Sequence, residues 1–279
     1  MKNLLFNFCA ASILLAFSSC SQTDLQEPLP GEVNMESSMK NDGEDFRNFK
    51  SEKLRVFKGP QVQYGEGKLR SFVSLNDENF PVEIGFIMTP EIFENLEILP
   101  PFDIATVLPL HYKAKEVTPF EHLVLKWSTG HPPAFFATHF DFYFYKISKE
   151  ERLAIPEYDL TTASAFTLYP PDGFMPDDYG TPPGQGGVYP QIGKHWLPLN
   201  LPAYLPFTSI TVLGTYNGKS IFIEPMATVD LLLSNPDISE PYSQPEFFQE
   251  STNYPTRYNI YVDSKTGEIY VTLSHFVAR

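Results

Sequence analysis

Cysteine is nearly absent from this sequence. It occurs only at positions 9 and 20, so the body of the chain has no disulfide framework, no cysteine nucleophile and no cysteine zinc ligand. Positive charge is short as well: 20 Lys and Arg stand against 34 Asp and Glu, for a formal net charge of −14. No Lys/Arg cluster offsets that excess, and a surface of this kind repels phosphate backbones, which excludes nucleic acid as a partner. There is no glycine-rich phosphate loop, no dinucleotide fingerprint, no GxSxG elbow and no HExxH or HxH pair. The usual signatures of nucleotide binding, α/β-hydrolase chemistry and zincin chemistry are therefore missing. Long apolar runs are lacking too. The stretch from Leu4 to Phe17, interrupted by Asn7 and Ser12, falls short of the roughly 20 residues that a membrane-spanning helix needs.

What the N-terminus does contain is a secretory layout. Lys2 supplies one positive charge, the apolar stretch follows, and the small residues Ser18 and Ser19 precede Cys20. A cysteine directly after two small residues resembles a bacterial lipobox, whose thiol is acylated (palmitate being a typical chain) and becomes the first residue of the mature protein. Phe17 stands where leucine is more usual. The competing reading, ordinary cleavage near Ser19, leaves an unpaired thiol at a secreted N-terminus. Lipidation of Cys20 is the stronger expectation, with the membrane contacted through that anchor.

Residues 20–50 are polar, acidic and broken by Pro28, Pro30, Gly31 and Gly43, with too few large apolar side chains to form a core. They read as a flexible tether. Asp24 and Glu27 resemble the acidic surface-export signals of some Gram-negative lipoproteins, so an outer-membrane lipoprotein facing the periplasm or the cell surface is expected. The organisation is a signal peptide over 1–19, a tether over 20–50 and a single β-rich domain over 51–279.

The body reads mostly as strands. Lys68–Leu75 and Val82–Met88 flank the polar turn Asn76–Asn79, as in a hairpin. Thr89-Pro90-Glu91 opens a predicted short helix through Leu99, with Thr89 as N-cap. Further strands are expected over Phe120–Trp127, His139–Ile147, Ile210–Tyr216 and Lys219–Glu224. Asn217-Gly218 between the last two suits a type I′ turn, whose central residues need positive φ. Tyr258–Val262 and Ile269–Phe276 form a closing hairpin around Lys265-Thr266-Gly267. Helical periodicity is confined to Ser148–Ile155 and Ala227–Asn235. The fold class is mainly β: an antiparallel β-sandwich or barrel with a few short helices. Leu168 to Leu205, dense in proline and glycine, is expected to be a long structureless stretch, either a lid or binding loop or else partly disordered.

The richest segment chemically is His139-Phe140-Asp141-Phe142-Tyr143-Phe144-Tyr145. Side chains alternate along a strand, so Phe140, Phe142 and Phe144 line the core. His139, Asp141, Tyr143 and Tyr145 line the opposite face. His131 in Gly130-His131-Pro132-Pro133, His195 in Gly193-Lys194-His195-Trp196 and Glu224 at the end of the Asn-Gly hairpin add two imidazoles and a carboxylate. His131, His139, Asp141, His195 and Glu224 are together the right donors for Zn²⁺, iron or another divalent first-row metal. The plainer reading makes each histidine structural and Asp141 its orienting partner, and spacing alone favours that one.

Gly130 to Pro133, the HFDFYFY run, GKHW and YNGKSIFIEPM resemble a family of exported bacterial proteins built on a domain of unknown function. Its pattern is GHxP, PHFDFHFY, GxHW and a hairpin ending in EPM. The resemblance runs from about Phe80 to the C-terminus and implies a β-rich domain capable of forming homo-oligomers, with no established activity to carry over. His131, His139, Asp141, His195 and Glu224 fall on motif positions. Tyr143 stands where the family has histidine, and Thr138 where it has proline. A metal site built on that histidine would be weakened or altered here, although a tyrosine oxygen can ligate iron or donate a proton.

Three readings follow. In a metal-binding domain, hydrolytic or redox, the three histidines hold the ion, Glu224 is a ligand or general base and Asp141 a ligand or its support. In a non-catalytic envelope module, Trp127, Trp196, Tyr179 and Tyr189 offer stacking platforms to glycans. In a structural envelope protein the polar cluster braces the fold.

Overall fold

The computed structural model describes residues 54–96, 105–132 and 134–279. The expectations placed on 1–50, including lipidation at Cys20, lie outside the described residues. Ser51–Arg279 forms one compact unit.

Two antiparallel sheets make the body, and neither closes into a barrel. The first contains β1 (Arg55–Tyr64), β2 (Gly67–Leu75) and β3 (Pro81–Met88) from the start of the domain. They join β12 (Asp237–Pro241), β13 (Asn253–Val262) and β14 (Ile269–Ala278) from its end, in the order β1-β2-β3-β14-β13-β12. The second is built from the middle of the chain: β4 (Thr106–Pro109), β5 (His122–Ser128), β6 (His139–Tyr145), β7 (Tyr179–Gly180), β9 (Gly193–Pro198), β10 (Ser209–Tyr216) and β11 (Lys219–Thr228). Its order is β4-β5-β6-β11-β10-β9-β7, with the two-residue β8 (Val188–Tyr189) paired to β9.

Alternation along the strands builds the core. Leu69, Val73, Ile84 and Phe86 of the first sheet meet Phe140, Phe142 and Phe144 of β6, all essentially free of solvent. Phe86 packs edge-on to Phe142 at 5.2 Å and Phe144 at 5.4 Å, the geometry that aromatic quadrupoles prefer. Burying each such ring stabilises the fold by about 1.5–3 kcal/mol.

The other face of β6 is buried as well, and every residue of this strand is shielded from solvent. The segment between β6 and β9 folds over it, carrying α2 (Lys149–Leu153) and α3 (Ala163–Thr167), which follow α1 (Tyr112–Val117) in the chain; α4 (Val229–Leu233) comes after β11. Ile155, Phe166 and Ile192 pack there against Tyr143, Tyr145 and Phe222. Ser148 starts α2 with a full capping box, its hydroxyl accepting from Glu151 N–H while the Glu151 carboxylate accepts from Ser148 N–H.

Two expectations need correction. Among the described residues the expected helix after Thr89 is broken: a 3-10 turn covers Pro90–Phe93, and residues 97–99 of the expectation lie outside the described residues. Glu94 turns extended and Asn95 takes a positive φ of 56°, which stops propagation, while Thr89 Oγ1 accepts from Lys68 N–H instead of capping the turn. The Pro/Gly-rich stretch is also no structureless loop, since it contributes β7, β8 and β9.

Candidate functional site

The site lies on the covered outer face of the second sheet, across four neighbouring strands. β6 supplies His139, Asp141, Tyr143 and Tyr145 from one side of its pleat. On β11, Met226 pairs with Asp141, which places Glu224 on the same face two residues away. Glu224 pairs with Val212 of β10, and Gly214 of β10 pairs with His195 of β9. His195 and Glu224 thus stand two strands apart, about 9–10 Å of sheet. Gly214 lets them meet. With no side chain there, the Phe222 ring lies across β10, where a Cβ would overlap it. His195 packs on that ring at 5.3 Å, and its Nε2 reaches Glu224 Oε2 at 3.1 Å.

The three histidines share one presetting. Nδ1–H of His139 donates to the Ala137 carbonyl at 2.7 Å, that of His131 to Pro132 at 2.9 Å, and that of His195 to Gly187 at 2.9 Å. A carbonyl only accepts, so each Nδ1 carries the proton and each ring turns its Nε2 toward another partner. For His139 that nitrogen faces Asp141 Oδ1 at 3.4 Å. His139 Nε2, Asp141 Oδ1 and Glu224 Oε2 are buried atoms without a properly angled hydrogen bond, an arrangement that costs free energy unless something else satisfies them. The Tyr143 hydroxyl lies 3.5 Å from His195 Nε2.

Charge is concentrated here. Burial and the neighbouring Glu224 carboxylate push Asp141 up to about 6, against the pull of His139 and Lys126. Burial lowers the His195 imidazole, but Glu224, the Gly187 carbonyl and Asp141 outweigh it and leave it above its ordinary value. Burial, with Glu224 and Asp141 adding to it, holds the Tyr143 phenol far above its ordinary range, so it is a neutral donor.

These groups open on a cavity of about 470 Å³, walled opposite the sheet by Pro182, Gly186, Gly187, Tyr189 and His131. Lys194 fixes that wall. Its buried ammonium donates to the carbonyls of Pro182 (2.7 Å), Gly184 (2.9 Å) and Gly186 (2.7 Å), folding the loop so that Gly187 O meets both His195 N–H and Nδ1–H.

Residues His139, Asp141, His195 and Glu224 therefore come together, with His131 beside His139 at a ring distance of 5.4 Å. The expectation that they converge on one point is corrected: among the described residues no three His, Asp or Glu side chains gather as a metal-holding group. His139 instead closes on Asp141 and His195 on Glu224, giving two pairs. Of the aromatic platforms, Trp127 and Tyr179 are buried, Trp196 packs against the core with its N–H on Thr215 Oγ1, and only Tyr189 is exposed, at the cavity rim. Lys194 and Gly214 were not singled out from sequence. Lys194 sits beside His195 in GKHW, but its role depends on loop carbonyls 8 to 12 residues away. Comparison with protein families, curated proteins and solved structures gives no match for this chain.

Proposed function

We propose that this is an exported, lipid-anchored envelope protein of the family its motifs resemble, and that its covered pocket binds one divalent first-row metal, zinc or iron. The observation that carries the reading is the shared presetting of three imidazoles beside two buried carboxylates, with His139 Nε2, Asp141 Oδ1 and Glu224 Oε2 left without hydrogen bonds. Backbone carbonyls on Nδ1 are what hold ligating histidines in register. His139, Asp141, His195 and Glu224 would hold such a cation, which would supply the positive charge that the two buried carboxylates lack. His131 and Tyr143 would border the ion on the cavity side.

A second reading keeps the same residues without metal: His195 and Glu224, 3.1 Å apart, form an acid–base pair facing the cavity, with Tyr143 as donor. The raised His195 favours it.

Metal analysis by mass spectrometry on protein purified without a histidine tag separates the two. About one equivalent of transition metal, lost from a folded His139→Ala/His195→Ala variant, is the expected result. Failure to load zinc, iron, copper or manganese on reconstitution would leave the acid–base pair as the surviving reading.

A further inference from the structure

A second cavity, about 650 Å³, opens beyond the far end of β6. On its wall Lys146, the residue after β6, donates from Nζ to Ser220 Oγ on β11 at 2.7 Å. Both main chains are held in place: Lys146 N–H donates to Ile221 O at 2.8 Å, and Ser220 N–H donates to the Gln249 side-chain carbonyl at 3.1 Å. Neither residue belongs to the His/Asp/Glu pocket, although Ser220 lies only four positions before Glu224 on the same strand. Glu121, Glu151, Lys219 and Glu250 are the other charged residues lining this cavity.

We propose that Lys146 and Ser220 form a serine–lysine dyad that cleaves small acyl substrates, esters above all. The chemistry needs a hydroxyl within hydrogen-bond reach of an amine that can be neutral near physiological pH, both bordering a space that admits substrate. Burial, opposed by Glu250, pulls the Lys146 ammonium from 10.5 down to about 8, so a usable fraction is the free base at neutral pH. Ser220 Oγ attacks the acyl carbon while its proton passes to Lys146 Nζ. The acyl–oxygen bond to the alcohol then breaks, and Lys146 returns that proton to the leaving oxygen. Water, deprotonated by the same amine, opens the acyl-serine and regenerates the hydroxyl. No oxidant, metal or cofactor enters the balance.

A lysine just past one strand and a serine on its neighbour can also be a plain brace, and the test separates these. The full chain is treated with an alkyl fluorophosphonate, which phosphonylates activated serines with loss of fluoride, and peptides are mapped by mass spectrometry. Turnover of p-nitrophenyl acetate is followed in parallel. The dyad predicts an adduct on Ser220, formed faster as pH rises through 8, and none in Ser220→Ala. Lys146→Arg keeps the donor and the charge but cannot act as a base, so labelling should fall by about 100-fold or more while circular dichroism stays unchanged. A folded wild-type protein with no Ser220 adduct at excess probe and pH 9 would overturn the proposal, as would equal labelling of the folded Lys146→Arg variant.

Discussion

Gly214, beneath the Phe222 ring, has a clear steric role. A methyl group there meets the Phe222 ring, and that ring is the floor on which His195 rests. Gly214→Ala is expected to cost about 1–3 kcal/mol of stability, the range for overpacking, read by urea denaturation. The residue-by-residue legibility of the site follows the same line. His139, Asp141 and the phenylalanines of β6 were legible because a two-residue period within one strand fixes their faces. The His195–Glu224 contact was not, because it depends on the register of three strands and on a glycine that lets a ring lie flat.

At the scale of elements, hairpins with strong turn signals were recovered closely. Asn217 and Gly218 take φ of 48° and 76°, as their type I′ turn requires. Strands β10 and β11 follow on either side of it. β9 escaped notice because proline and glycine around it mask any alternation, and its pairing to β10 is a tertiary effect. One ammonium gathers three carbonyls of the loop over the cavity, so the order of that loop should depend on Lys194. Lys194→Met retains much of the stem and removes the donors. Faster amide hydrogen exchange across residues 184–187, with protection in β6 and β11 retained, is the expected result; unchanged exchange would show that the loop is held by other contacts.

For the whole molecule, the first sheet carries an acid of its own. Glu83 on β3 accepts from Thr272 Oγ1 at 2.6 Å and Tyr261 OH at 3.1 Å, yet burial outweighs both donors and raises it from 4.5 to about 7. Between those values the unfolded chain has released this proton and the native chain still holds it. The native state therefore binds more protons, and Glu83 makes stability fall as pH rises through that window. Thermal melts of Glu83→Gln and the parent should diverge in favour of the variant from pH 4.5 to 7 and run parallel above it. A difference that does not change with pH would remove Glu83 as the source.

The first sheet also ties β3 to β14, residues near the start of the domain to the last ten of the chain. Without β14 the β1-β2-β3 meander has an open edge at β3, and β13 and β12 have nothing to join them to it. Contacts of such sequence separation form late and slowly. The six-stranded sheet is therefore continuous only once β14 has joined β3 to β13.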